Sequence, residues 1–81
     1  FFSAYGINSN GMIVDTSEEE TELRIALLKN AKTSVFLCDN SKFDKSAIFN
    51  IASLSEVDYL ITNGSVPSRY PRVREKTIVI V

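Results

Sequence analysis

The chain has 81 residues, of which 44% are hydrophobic and 23% charged, and this composition indicates a folded domain and excludes a largely disordered chain. Nine basic and ten acidic residues give a net charge of -1, so these residues exert no overall electrostatic attraction on nucleic acid. No apolar stretch reaches the roughly 20 residues that a membrane-spanning helix needs. The single cysteine, Cys38, lies in an apolar run and indicates a reducing compartment, so we expect a cytoplasmic protein with no membrane partner.

The start of the sequence indicates that a longer protein continues upstream. The first residue is Phe1, and the only methionine is Met12. The opening FFSA, residues 1–4, has the character of a strand interior and predicts a strand, followed by a turn-rich loop from Gly6 to Gly11. We therefore expect the chain to begin inside a domain and to form one part of it.

Residues 16–31, TSEEETELRIALLKNA, predict a helix. Ser17 and Glu20 have the spacing of a capping box, and acidic residues crowd the first turn, where the helix dipole favours them. The predicted buried face comprises Leu23, Ala26, Leu27 and Ala31, widened by Ile25 and Leu28. Such a wide face suits a helix that packs on a sheet.

The rest of the chain predicts further strands and helices in alternation. TSVFLC (33–38) and DYLIT (58–62) are unalternating apolar runs, as in parallel strands covered on both faces, and TIVIV (77–81) predicts a last strand. SAIFNIASL (46–54) predicts a helix, and residues 65–71 a loop with at most a short helix after it. The alternation predicts an α/β fold with three layers, a mostly parallel sheet and flanking helices.

The four residues DNSK, 39–42, come directly after the buried strand at 33–38. In open α/β sheets, ligands bind beyond the carboxyl ends of strands, and the loop 5–11 and the segment 62–64 are expected at that same edge. Lys42 is suited to bind a phosphate or a sugar oxygen as a point charge, with Ser41 and backbone N–H groups beside it. The alternative is a plain polar turn with a solvated lysine.

Other motifs that would indicate catalysis are missing from the sequence. It has no phosphate-binding glycine-rich motif, no metal-ligand cluster and no Ser/His/Asp set, so we expect no catalytic residues, no metal and no cofactor. A small patch near the end contains Arg69, Tyr70, Arg72 and Arg74. Because the chain is nearly neutral, this patch predicts a surface or subunit contact in preference to nucleic-acid binding.

A resemblance to a known family covers about residues 1–64. The segments FFSAYGI, GM, EEETELRIALLKNA and VFLCDNSKFDKSAIFNIASLSEVDYLITN are similar to the effector-binding domain of DeoR-type bacterial transcription repressors. The most specific part is the D-x-S-K-F block followed by L-s-x-V-D-x-L-I-T. The resemblance implies a Rossmann-like α/β sensor of a phosphorylated sugar or related metabolite, related to ribose-5-phosphate isomerase, in a homo-oligomeric regulator of carbohydrate metabolism.

The resemblance also implies what lies outside the 81 residues. It places a winged helix-turn-helix and the start of the sensor upstream, so operator DNA would be bound only through that missing N-terminal domain. On the effector side, Asp39, Ser41 and Lys42 match the D-x-S-K loop, whose lysine the family places near the sugar phosphate. Glu20 matches a glutamate at the start of the family's helix that corresponds to residues 16–31. Gly6 matches the glycine of the loop after the first strand.

Tyr5 departs from the family pattern, which often has aspartate there. We expect Tyr5 in the effector site, although it also fits a packed aromatic residue. In the isomerase-like version of this loop two acids are expected, and here those places hold Tyr5 and Asn8. Because an aldose-ketose isomerase needs a carboxylate base, this difference favours a non-enzymatic sensor. The alternatives are a sugar-phosphate isomerase and an assembly domain with a vestigial pocket.

Overall fold

The computed structural model describes residues 1–80, which form two small sheets and one α-helix. In chain order the elements are β1 (Gly6–Ile7), β2 (Met12–Asp15), α1 (Glu18–Asn30), β3 (Val35–Cys38), β4 (Phe49–Ser53), β5 (Tyr59–Thr62) and β6 (Lys76–Val79). One sheet has the order β1-β2-β4 and the other β3-β5-β6. The predicted α/β class is confirmed, but a single mostly parallel sheet is not what these residues form.

The sheet β3-β5-β6 is parallel throughout, as the unalternating apolar runs predict. The predicted first strand, 1–4, is reduced to one parallel bridge between Phe2 and Phe36 at the free edge of β3. There the Phe2 N–H donates to the Val35 carbonyl at 3.0 Å, and the Leu37 N–H donates to the Phe2 carbonyl at 2.9 Å. Val81, included in the predicted last strand, lies outside the described residues.

The sequence did not predict the hairpin of β1 and β2. Both strands are short, and the turn residues between them give the segment the sequence pattern of a loop. Asn8 organises this turn: its Oδ1 accepts from the N–H groups of Asn10 at 2.9 Å and Met12 at 3.0 Å. Gly11 has a φ of 81°, in the left-handed region that glycine adopts without steric cost. The predicted loop 5–11 is therefore a turn inside an antiparallel sheet.

The predicted helix over 46–54 is wrong, since β4 occupies Phe49–Ser53. β4 pairs with β2 in antiparallel register, and a bulge between Ile13 and Val14 shifts that register. Ile51 is buried in the core while Asn50 is exposed. The segment is too short for helix propensity to outweigh the backbone hydrogen bonds and burial that β2 offers.

The helix is confirmed within 16–31, but its predicted buried face is only partly right. Leu23 and Leu27 are 60% and 58% exposed, whereas Ile25 and Leu28, which were predicted to widen that face, pack against the core, and Thr21 is buried. Arg24, beside these inward residues, pairs with the buried carboxylate of Asp15 at 3.3 Å, and α1 contacts β2 and β4. The burial of Ile25 and Leu28 and this ion pair both favour the observed rotation of the helix.

One core cluster contains side chains from both sheets, including Ile7 and Ile13 of one and Phe36 and Leu60 of the other. The other face of the parallel sheet is apolar as well. Leu37, Ile61 and Ile78 stand in register across β3, β5 and β6, and Leu37 and Ile78 are 38% and 39% exposed. The predicted covering of both faces is thus present on one face only within residues 1–80.

No helix in residues 1–80 is both long enough and apolar enough to cross a membrane.

Candidate functional site

The loop after β3 is a single turn of 3-10 helix, Asn40–Lys42, and Asp39 caps it. The Asp39 Oδ2 atom accepts a hydrogen bond from the Ser41 backbone N–H at 3.0 Å and another from the Ser41 hydroxyl. The Lys42 N–H donates to the Asp39 carbonyl at 2.9 Å. The carboxylate and hydroxyl of this loop therefore hold its shape, and the Lys42 side chain is exposed.

Asn63, at the end of β5, fastens this loop to the neighbouring strand. Its Nδ2 donates to Asp39 Oδ1 at 2.7 Å, and its Oδ1 accepts from the Asn40 N–H at 2.8 Å. β3 and β5 are adjacent parallel strands, so their carboxyl ends lie at one edge of the sheet, as the sequence predicts for residues 39–42 and 62–64. A depression beside the loop is lined by Leu37, Cys38, Asp39, Ile61, Thr62, Asn63 and Ile80.

Thr62 has a side chain with an unusual environment at this edge. It is buried, and its hydroxyl oxygen has no hydrogen-bond partner within residues 1–80. It stands opposite Cys38 in the β3–β5 register. The buried side chains of Cys38 and Thr62 are thus neighbours at this edge of the sheet.

The charges of the loop follow from these contacts. Hydrogen bonds from the Ser41 side chain, the Ser41 backbone and Asn63, in that order, hold the pKa of Asp39 below its usual 3.8, and the Lys42 charge lowers it further. Burial raises the pKa of the Cys38 thiol to about 11, and the nearby Lys42 charge opposes this shift. At neutral pH the loop therefore carries an ionised Asp39, and Cys38 stays a protonated thiol, which is a poor nucleophile.

Gly6 lies against this loop, as the resemblance implies. A Cβ atom on Gly6 would stand 2.6 Å from the Lys42 carbonyl oxygen and 2.8 Å from the Lys45 Cβ. A side chain at position 6 would therefore push the loop away from β1. Tyr5, the residue before it, is 43% exposed.

Glu20 is not joined to this loop by any hydrogen bond or ion pair in the part of the chain that is described. Its backbone N–H donates to the Ser17 Oγ at 3.3 Å, and its carboxylate pairs with Arg24 at 3.5 Å. Only the Ser17 half of the predicted capping box forms. A complete capping box, not predicted, forms instead between Ser53 and Glu56.

Arg69 and Tyr70 contact residues next to this loop, although the sequence analysis assigned both to a surface patch. Tyr70 is only 6% exposed, and its ring packs edge-on against Phe43 with 5.9 Å between ring centroids. Its hydroxyl contacts Asp44, and Arg69 pairs with the same carboxylate. The sequence gives only a weak indication of these contacts, because Tyr70 is a single tyrosine in a segment bounded by prolines.

Comparison with known proteins identifies a family. The family model described as the DeoR C terminal sensor domain matches residues 1–64, which include the whole loop and Gly6. No solved structure matches the chain significantly.

Curated relatives are regulators of operons. The L-fucose operon activator of Haemophilus influenzae is 28% identical over 75 residues, covering 93% of this chain and 30% of the relative. The glycerol-3-phosphate regulon repressor of the same organism is 33% identical over 61 residues, 75% of this chain and 24% of the relative. The L-fucose operon activator of Escherichia coli is 37% identical over 62 residues, 76% of this chain and 26% of the relative. The chain thus spans less than a third of the length of these relatives.

Proposed function

The chain belongs to the family of DeoR C-terminal sensor domains, and from this premise we propose that it senses a phosphorylated sugar or a related metabolite for a transcription regulator. The observation that carries the proposal is the Asp39–Lys42 turn, fastened at the carboxyl ends of β3 and β5 and in contact with Gly6. Asp39 and Ser41 hold the turn, and Lys42 supplies the cation for the phosphate. Their hydrogen bonds hold the turn in one shape, which lowers the entropic cost of binding.

The names of the relatives support this ligand class. One is a repressor of a glycerol-3-phosphate regulon and another an activator of an L-fucose operon, so carbohydrate-derived metabolites are common to both. We infer that the ligand acts by binding one conformation of the full protein better than another, which shifts its affinity for operator DNA. Operator DNA would be contacted by a winged helix-turn-helix outside these 81 residues.

A role without turnover fits the loop between β1 and β2. Asn8, at a place where the isomerase-like pattern expects an acid, uses its Oδ1 to hold the hairpin turn. The carboxylate of Glu20 forms an ion pair with Arg24. We therefore propose that the protein binds sugar phosphates without isomerising them, and that assays of aldose and ketose phosphates detect no conversion.

We also infer that the full sensor has a third layer, in a Rossmann-like arrangement related to ribose-5-phosphate isomerase. The support is the apolar row Leu37, Ile61 and Ile78, which β3, β5 and β6 present on their open face. Parallel sheets are normally covered on both faces. An experimental structure of the full-length protein would test this: the inference requires helices of the same polypeptide on that row, and water there would contradict it.

The ligand site is tested by calorimetric titration of the full-length protein with a panel of sugar phosphates, including glycerol 3-phosphate. Lys42→Ala should raise the dissociation constant about tenfold or more, the cost of losing a hydrogen bond to a charged group. Lys32→Ala is the matched control, because Lys32 is exposed and precedes β3 at the opposite end of the sheet. Equal affinities of wild type and Lys42→Ala for every ligand would refute the assignment.

A further inference from the structure

The Asp39–Lys42 turn has two anchors, one at each end. Asn63 holds its start at the carboxyl end of β5. After its end, Phe43 forms a parallel bridge with Ile7 of β1, and the Lys45 N–H donates to the Ile7 carbonyl at 2.9 Å. The position of the turn therefore depends on the chain between Phe43 and Lys45 as well as on Asn63.

Asp44, inside the second anchor, has an unusual backbone conformation. Its φ is 58°, and among residues 1–80 it is the only non-glycine residue with positive φ. Aspartate tolerates this left-handed conformation better than most residues, but it still adopts it at a free-energy cost, so contacts from elsewhere must hold it there. Without such contacts Asp44 would relax to a negative φ, and the chain after the turn would take another direction.

Tyr70 and Arg69 supply these contacts from a segment that lies 26 and 25 residues further along the chain. The Asp44 N–H donates to the Tyr70 Oη at 2.8 Å, and the Tyr70 hydroxyl donates to Asp44 Oδ1 at 2.8 Å. The Arg69 guanidinium pairs with the same carboxylate and lies 5.5 Å from the centre of the Tyr70 ring. One phenol therefore holds both the backbone and the side chain of Asp44.

Tyr70 is itself held in place by the core. Its buried ring packs edge-on against Phe43, and its neighbour Pro71 fills the space beside Gly11, where a Cβ atom would stand 2.2 Å from the Pro71 Cδ. Burial, followed by the hydrogen bond to Asp44, raises the pKa of the Tyr70 phenol to about 12. The hydroxyl therefore stays protonated across the physiological pH range, and its contact with Asp44 is constant.

We propose that Tyr70 is a positioning residue of the effector site: its hydroxyl holds Asp44 in the left-handed conformation, which keeps the Asp39–Lys42 turn in the shape that binds phosphate. This inference rests on the proposed function and adds to it a residue outside the segment 1–64 that matches the family model. When only a fraction of the protein has the binding shape, the apparent dissociation constant rises by the inverse of that fraction. Loss of the phenol hydroxyl should therefore weaken binding although no contact with the ligand is removed.

The test titrates inorganic phosphate, the group common to all phosphorylated sugars, into the full-length protein and follows the Lys42 amide signal by nuclear magnetic resonance. Tyr70→Phe keeps the ring against Phe43 and removes only the hydroxyl. It should raise the dissociation constant roughly fivefold, because Asp44 then leaves its left-handed conformation in most molecules. Tyr59→Phe removes a hydroxyl at the amino end of β5, and as the matched control it should leave the dissociation constant unchanged.

Substitutions of Asp44 in the Tyr70→Phe protein separate positioning from stability. Glycine adopts positive φ about as readily as negative φ, so Tyr70→Phe with Asp44→Gly should bind phosphate within about twofold of wild type. Asp44→Ala removes the same carboxylate but keeps a Cβ atom, so Tyr70→Phe with Asp44→Ala should remain weaker than wild type by about fivefold or more. If Tyr70 only stabilised the core, the folded variants would share one dissociation constant and differ only in thermal unfolding temperature.

The outcomes distinguish this inference from the proposed function. A roughly fivefold loss in Tyr70→Phe that glycine restores and alanine does not would support the positioning role. Wild-type affinity in Tyr70→Phe, or equal affinities of the glycine and alanine double variants, would overturn that role and leave the proposed function in place. A wild-type protein whose Lys42 amide signal does not respond to phosphate would overturn both proposals.

Discussion

At the scale of single residues, the ionised Asp39 carboxylate organises the candidate site. It accepts hydrogen bonds from Ser41 and Asn63, and these hold its pKa below the usual 3.8 in the folded chain. Because the folded pKa is the lower one, the carboxylate contributes stability at pH values above 3.8. That contribution is lost as the pH falls through the folded pKa.

The prediction is that the Ser41 amide reports this titration. In a pH series of amide nuclear magnetic resonance spectra, the Ser41 N–H signal should move with a midpoint below 3.8, since it donates to the Asp39 carboxylate. In Asp39→Asn the movement should vanish, because no titrating oxygen remains. A midpoint at or above 3.8 would show that the loop does not have these hydrogen bonds in solution.

The same residues show what the sequence can predict about the site. Asp39, Ser41 and Lys42 form one short loop at the carboxyl end of β3, as the sequence predicts, and Gly6 lies against that loop from β1 of the other sheet. The role of Tyr70 could not be predicted, since its partner Asp44 is 26 residues away and only the fold brings them together. Local patterns identify loops that follow strands, and they do not identify side chains that reach in from a distant segment.

At the scale of elements, β4 is the segment where local pattern and structure disagree. Ile51 is buried in the core and Asn50 is exposed, so these two successive side chains point to opposite faces of the strand. Ile51→Ala should therefore lower the free energy of unfolding by roughly 2–5 kcal/mol through lost burial and a cavity. Denaturant unfolding of the full-length protein measures this change.

Asn50→Ala is the matched substitution on the other face of β4. It should change stability by no more than about 0.5 kcal/mol, as exposed substitutions do. In a helix the same change would increase stability by up to about 0.7 kcal/mol, because alanine is the better helix former. A clear gain in stability from Asn50→Ala, with little loss from Ile51→Ala, would contradict the strand.

The reason that some elements could be predicted and others not is the source of their stability. α1 has a cap at Ser17 and three acids in its first turn, and β3 and β5 are continuous apolar runs, so their signals lie within the segment itself. β4 takes its conformation from β2, with which it shares four register pairs across a bulge. The inward face of α1 depends on contacts with residues outside the helix, such as the Asp15–Arg24 pair.

At the scale of the whole molecule, a sensor requires that two binding events affect each other. If a sugar phosphate changes operator affinity by some factor, operator must change the affinity for that sugar phosphate by the same factor. Under the proposed function, the coupling would pass from the Asp39–Lys42 turn to an operator-binding part outside these 81 residues. A hydrogen bond from Asn63 attaches the Asp39–Lys42 turn to the end of β5, and another joins Asp44 to Tyr70. A ligand bound at Lys42 would therefore act on a part of the chain with a defined structure.

We therefore predict reciprocal factors, of about 5-fold to 150-fold as is typical of allosteric proteins, in the full-length regulator. Operator titrations with and without saturating sugar phosphate give one factor, and sugar-phosphate titrations with and without operator give the other. At a sugar-phosphate concentration that just saturates wild type, Lys42→Ala should show a smaller change in operator affinity, because its weaker binding leaves more of the variant unliganded. Lys32→Ala, at the opposite end of β3, should leave both factors unchanged. A ligand that binds through Lys42 and leaves operator affinity unaltered would mean that this domain binds metabolites without signalling to DNA.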